Sequence, residues 1–295
     1  MVNWRGRRRS DNVEDRRGAA GAAGASGIII LLLRFVVGRF GFRGILLLGL
    51  IGAGLYMAGV NPVALIQGGP VSQGPVEPID DETLEFVETV TAETEAVWGR
   101  IFAEEGLQYV PPKVVMFTSN VSSGCGYASA QMGPFYCPAD QKVYFDPNFF
   151  TELARRFGAP GDFAAVYVIA HEVGHHIQTI TGISAQVRQA QSRASKIEQN
   201  QLQVRMELQA DCYAGVFANR AERSSDFLND DDLEEGLRAA AAIGDDTLQR
   251  QAGQRVREEH FTHGSSEQRV RWFRQGFSTG DEDTCDTFNI SADRL

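Results

Sequence analysis

Cysteine is scarce and wrongly spaced for a thiolate metal site: the 295 residues hold four, at 125, 137, 212 and 285, and no two stand in the C-x2-C arrangement of structural zinc sites. In an oxidising compartment such an even, sparse set reads as two disulfides. Three connectivities are open; Cys125 with Cys137 and Cys212 with Cys285 is the expected one, and four buried free thiols are the alternative. A basic excess is also missing. The net charge is −10, and an acidic body repels phosphates, which excludes nucleic acid as a partner. Lysine is nearly absent, at 113, 142 and 196 only, and carries no functional reading. The arginines are uneven: nine stand in residues 1–43 against Asp11, Glu14 and Asp15.

Long clean hydrophobic runs are few. Ile28 to Leu33 is followed by Arg34, Arg39 and Arg43, and an arginine at mid-membrane is costly. Gly44 to Val60 is the cleaner run, 17 uncharged residues that reach about 25 Å as a helix against a hydrocarbon core of about 30 Å. Phe40 to Ile66, broken only by Arg43, leaves room for tilt. The expected organisation is therefore a basic, disordered head over 1–43, one transmembrane helix over 44–66, a Pro/Gly linker over 67–79 and a folded domain over 80–295. A cleaved signal peptide fits poorly behind so long a head. With the arginines ahead of the span, the positive-inside rule places the head in the cytoplasm and the domain in the periplasm or outside the cell. Small residues at Gly49, Ala53, Gly54 and Ala58 have the spacing that lets membrane helices self-associate weakly.

The domain reads as α+β and mostly helical. A helix from Asp80 or Asp81 to about Glu105 puts Leu84, Val87, Thr91, Thr94, Val97 and Ile101 on one face. Lys113–Thr118 and Gln141–Asp146 read as strands, and Asn148–Phe157 as a short helix closed by Gly158. From Asp162, expected as the N-cap, an apolar stripe of Val166, Ile169, Ala170, Val173, Ile177 and Ile180 runs to a stop at Gly182.

That helix carries the chemistry. His171 and His175 are four apart, so both imidazoles leave one face and can meet one metal ion. Glu172 lies beside them, placed to take a proton from a water without being a ligand. His176 points about 100° away and is read as packing or solvent-facing. Catalytic zinc takes three protein ligands and leaves a position open. The metzincin extension is missing, because Gln178 and Thr181 stand where glycine and histidine are required. The third ligand is therefore sought on a second helix, where Glu207 and Asp211 are four apart beside Ala210 and Ala214. Glu207 would bind the metal, and Asp211 would accept a hydrogen bond from a ligand histidine and fix its tautomer. A capping box at Ser265 and Gln268 starts a helix just after His263, which either stabilises an oxyanion or only caps and packs; Arg269 positions a substrate or an acidic partner, or else forms a surface ion pair. The loop from Gly124 to Pro138 is expected to border the cleft.

His171-Glu172-Val173-Gly174-His175 with Glu207-Leu208-Gln209-Ala210-Asp211 resembles the gluzincin pattern, in which H-E-x-x-H is completed by a downstream E-x-x-A-D. Ser10–Arg17, Cys125-Gly126, Gly133–Pro138, Thr262–Ser265, Gln268-Arg269 and Trp272-Phe273 look like the bacterial putative neutral zinc metallopeptidase family, a resemblance that covers nearly the whole chain. It implies a zincin-like fold with a small sheet above the active helix, a zinc cofactor and peptide or protein substrates. Two other readings stand beside it: a non-catalytic membrane-tethered binding or quality-control protein with a structural or vestigial zinc site, and a zinc hydrolase of a non-peptide amide.

Overall fold

Hydrophobic periodicity builds helix α1 (Asp81–Glu104) as its spacing requires. Val87, Thr91, Thr94, Val97 and Ile101 are buried, and Leu84 packs at the edge of the core. The two threonines tolerate burial because each hydroxyl donates back to the helix, Thr91 to the Val87 carbonyl at 2.8 Å and Thr94 to the Thr91 carbonyl at 2.7 Å. The computed structural model describes residues 1–17, 81–158, 161–229 and 231–295. The expected anchor over 44–66, the linker over 67–79 and the head from residue 18 onward lie outside the described residues. Among the described residues no helix is long and apolar enough to cross a membrane.

One unit comprises Met1–Asp15 with Asp80–Leu295; of the other, Arg16–Ile79, only residues 16 and 17 are described. The first unit is mostly helical with two small sheets. Strands β1 (Val13–Asp15), β2 (Lys113–Met116), β5 (Phe135–Cys137) and β6 (Lys142–Phe145) form a four-stranded sheet in the order β1-β2-β6-β5. β1 and β6 run parallel to β2, and β5 runs antiparallel to β6 with Phe135 opposite Tyr144. A separate hairpin joins β3 (Asn120–Ser123) to β4 (Gly126–Ser129). The Cys125–Cys137 disulfide ties the hairpin turn to the end of β5.

Helices α2 (Asn148–Phe157), α3 (Asp162–Ile180) and α4 (Ile183–Gln191) come next, and α3 packs against β5 and β6. The long α5 (Lys196–Ser225) follows, then α6 (Asp232–Ala242), α7 (Asp245–Gln251) and α8 (Ser266–Thr279). Full capping boxes start α5 at Ser195 with Glu198 and α8 at Ser265 with Gln268. The α5–α8 contact is backbone against backbone: a Cβ at Gly276 would come within 1.9 Å of the Cys212 carbonyl oxygen. A second disulfide, Cys212–Cys285, pins the segment after α8 to α5, so both expected pairings are present.

Two local expectations are corrected. Asp162 is the first residue of α3 and not its N-cap, which is Gly161 at φ 123°; its carboxylate accepts the Val2 amide at 3.0 Å instead. Residues 1–15, expected to be disordered, are ordered on the domain. Val2 and Trp4 are buried, Trp4 meets Phe86 edge-on at 5.7 Å, and β1 extends the sheet. Low apolar content excludes a segment from forming its own core, but these residues complete the core of another segment.

Candidate metal centre

Two helices carry the donors, and small residues let them meet. A Cβ at Gly174 on α3 would lie 3.1 Å from the Ala210 Cα of α5 and 3.2 Å from its Cβ, so the H-E-x-G-H and E-x-x-A-D segments face each other nearly backbone to backbone. His171 Nε2 is 3.2 Å and His175 Nε2 3.5 Å from Glu207 Oε2. One donor atom from each of the three lies within 4.8 Å of the others.

The outer face of each donor is tied down, which decides the tautomers. Asp211 Oδ1 accepts from His171 Nδ1 at 2.8 Å. Gln178 Oε1 accepts from His175 Nδ1 at 2.9 Å, while its amide nitrogen donates to the Met206 carbonyl and to Gln209 Oε1. Gln203 donates to Glu207 Oε1 at 2.9 Å. Both Nε2 lone pairs and Oε2 therefore turn inward, the form in which imidazole and carboxylate bind a divalent ion. Burial alone would lower the His171 pKa, but the Asp211 charge, with hydrogen bonds to Asp211 and Glu207, carries it up to about 9. Burial would raise Glu207, yet the His175 charge and the bonds to both imidazoles hold it well below the usual carboxylate range. Two imidazoles and one carboxylate whose donor atoms converge in this way suit zinc.

Asp211 is itself locked. It is fully buried, and Arg269 grips it through Nε to Oδ2 and Nη2 to Oδ1, both at 2.9 Å. Arg269 also donates to the Tyr167 hydroxyl at 3.0 Å, and that hydroxyl donates to Asp211 at 2.5 Å. Arg269 is thus buried at 2% exposure: of its two readings the surface ion pair is set aside, and it holds an acidic partner that is an internal carboxylate. His176, left between packing and solvent, is buried: Nε2 donates to the Val110 carbonyl, Nδ1 accepts from the Tyr136 hydroxyl, and desolvation lowers its pKa.

Glu172 is buried beside the donors but is not one of the three. It opens into a cavity of about 570 Å³ together with His171, His175, Glu207, His263 and Arg269. Met132 to Tyr136 and Pro138 form one wall, so the loop ending in β5 borders the cleft as expected. His263, half-exposed, is organised by Asp245. That carboxylate lies 3.3 Å from Nδ1 and accepts the backbone amides of Thr262, His263 and Gly264. The Asp245 hydrogen bond raises the His263 pKa against the lowering effect of burial, and Glu207 adds to the rise. Sequence reasoning missed Gln178, Gln203, Tyr167 and Asp245. The only signal for any of them was the acidic pair Asp245-Asp246 opening a helix just upstream of His263.

The chain is similar to proteins known from sequence. An Escherichia coli (strain K12) protein, "Uncharacterized protein YpfJ", is 47% identical over 294 residues, covering 98% of this chain and 100% of that one. A Mycobacterium tuberculosis (strain ATCC 25618 / H37Rv) protein, "Uncharacterized protein Rv2575", is 44% identical over 193 residues, covering 62% of this chain and 64% of that one. No solved structure matches. The family profile described as "Putative neutral zinc metallopeptidase" matches residues 2–288, and it is to this family that the chain belongs.

Proposed function

We propose that the domain is a zinc-dependent peptidase that hydrolyses peptide bonds in extended substrates. The observation that carries the proposal is the division of labour on α3 and α5. Three inward-facing donors are held from behind by Asp211, Gln178 and Gln203, and Glu172 stands in the same cavity outside the donor set.

His171, His175 and Glu207 would hold the ion, which supplies Lewis acidity that acidifies water and polarises the scissile carbonyl. Glu172 takes the proton of the attacking water and passes it to the leaving amine. His263, whose pKa the Asp245 hydrogen bond raises, donates toward the negative charge that develops on the carbonyl oxygen. Among the described residues β5 is an outer strand of its sheet, and Phe135 and Tyr136 line the cavity, so its outer edge offers main-chain hydrogen bonds to an extended peptide. Membrane association belongs to the same proposal and rests on the uncharged run Gly44–Val60, with no number of crossings assigned to it.

The test is hydrolysis of denatured protein and of a peptide library by the zinc-loaded chain, with and without chelator. E172Q is expected to keep stoichiometric zinc and lose about 10²–10⁴-fold in kcat. E207A is expected to lose zinc at concentrations that saturate the parent. Full activity in E172Q would remove Glu172 from the reaction. No hydrolysis of any substrate by the zinc-loaded parent would sink the peptidase reading.

A further inference from the structure

The first fifteen residues contact the domain in the way a domain contacts itself. β1 lies in parallel register with β2, Val13 opposite Val114 and Asp15 opposite Met116, and the Val114 amide donates to the Asn12 carbonyl at 2.8 Å. The Val2 amide reaches Asp162, where α3 begins, and α3 is the helix that carries His171.

The charges are equally committed. Arg5 pairs with Glu82, Arg7 with Glu93, Arg8 with Glu95 and Arg9 with Glu85, all on α1. Glu95 also accepts from Ser10 and Asn12, and Arg7 donates to the Ser225 and Asp226 carbonyls at the end of α5. In the other direction, Glu14 of the head takes Lys142 at 2.9 Å and Lys113 at 3.4 Å. Four of the nine arginines that carry the positive-inside argument are therefore spent on the acidic face of α1.

Contacts of this kind cannot span a bilayer whose hydrocarbon core is about 30 Å thick. A single crossing between residues 15 and 81, with the head in the cytoplasm and the domain outside, would part β1 from β2 and every arginine above from its glutamate. We propose that residues 1–15 and the metallopeptidase domain occupy the same side of any membrane the protein meets. The clustered arginines then serve as recognition charges for α1, and the orientation rule, which presumes free charges held in the cytoplasm, does not apply to them.

Surface cysteines test this in the full-length chain in its own membranes. Asp11→Cys reports the head and Ile197→Cys the domain; both positions are exposed. Each variant is treated with a membrane-impermeant PEG-maleimide before and after permeabilisation, and the extra mass step is scored against the parent chain to discount native cysteines. The expected result is that both acquire the extra label under the same condition, whether before or only after permeabilisation, at rates within about twofold. Labelling of one before permeabilisation and of the other only afterwards would overturn the proposal.

Discussion

Replacing Arg269 with methionine, R269M, keeps most of the buried stem and removes the charge that holds Asp211. The Asp211 side chain is 0% and that of Arg269 3% exposed, with two parallel hydrogen bonds of 2.9 Å between them. Removing one member of such a pair strands a buried charge, which costs about 3–5 kcal/mol. At about 2–4 °C per kcal/mol for a domain of this size, the midpoint of unfolding falls by roughly 10 °C. The sign with pH follows from Asp211. Burial would raise its pKa, and Arg269 with His171 holds it below its ordinary value, so its stabilisation is present above the unfolded pKa and lost as pH falls through the folded one. Without Arg269 the carboxyl pKa rises. The deficit of R269M is then largest near neutral pH and shrinks as Asp211 takes a proton in acid. The double variant R269M/D211N carries no stranded charge and is expected to recover stability over R269M, while its amide oxygen still accepts from His171 Nδ1. Urea unfolding at several pH values measures the first part. Competition with a chromophoric chelator measures the second: a loss of about 10–100-fold in zinc affinity for R269M, the usual effect of disturbing a partner behind a ligand. Stability within 1 kcal/mol of the parent at neutral pH, together with unchanged zinc affinity, would refute the idea that Arg269 positions His171 through Asp211.

The Asp245–His263 pair predicts a pH profile. The raised pKa keeps His263 cationic to higher pH, so kcat/KM falls on the alkaline side as that proton leaves, and D245N moves the alkaline limb to lower pH; an unmoved limb would show that His263 is not the titrating group. The disulfides predict two unequal losses. By loop-closure entropy, a separation of 73 residues makes Cys212–Cys285 worth about 4 kcal/mol, against about 3 for Cys125–Cys137 with 12. Gln209 donates to the Cys285 carbonyl and accepts from Gln178, which holds His175, so C212A/C285A also weakens zinc binding. C125A/C137A does not, and equal zinc losses in the two variants would break that chain of support.

What was legible in the sequence was whatever a short period encodes. The four-residue spacings 171/175 and 207/211 put side chains on common helix faces, and Ala210 marked where two helices close in, its partner Gly174 being found only in the structure. What was not legible depended on partners far along the chain. Gln178 was weighed only as a departure from the metzincin spacing, and its role became visible once the Met206 carbonyl and Gln209 fixed which way its amide faces. Arg269 read either as a surface charge or as the holder of an acidic partner, because nothing within its own helix says that the carboxylate it meets lies 58 residues away in the core. The head shows the same limit most sharply. Its arginines have no apolar period of their own, and composition therefore assigns it to solvent. The cost of ordering it is offset by groups first reached at α1: Phe86 for Trp4, and the glutamates at 82, 85, 93 and 95 for four arginines. Disorder inferred from composition holds only for a segment with no complementary surface elsewhere in its chain, and here an acidic helix stands ready beyond residue 80.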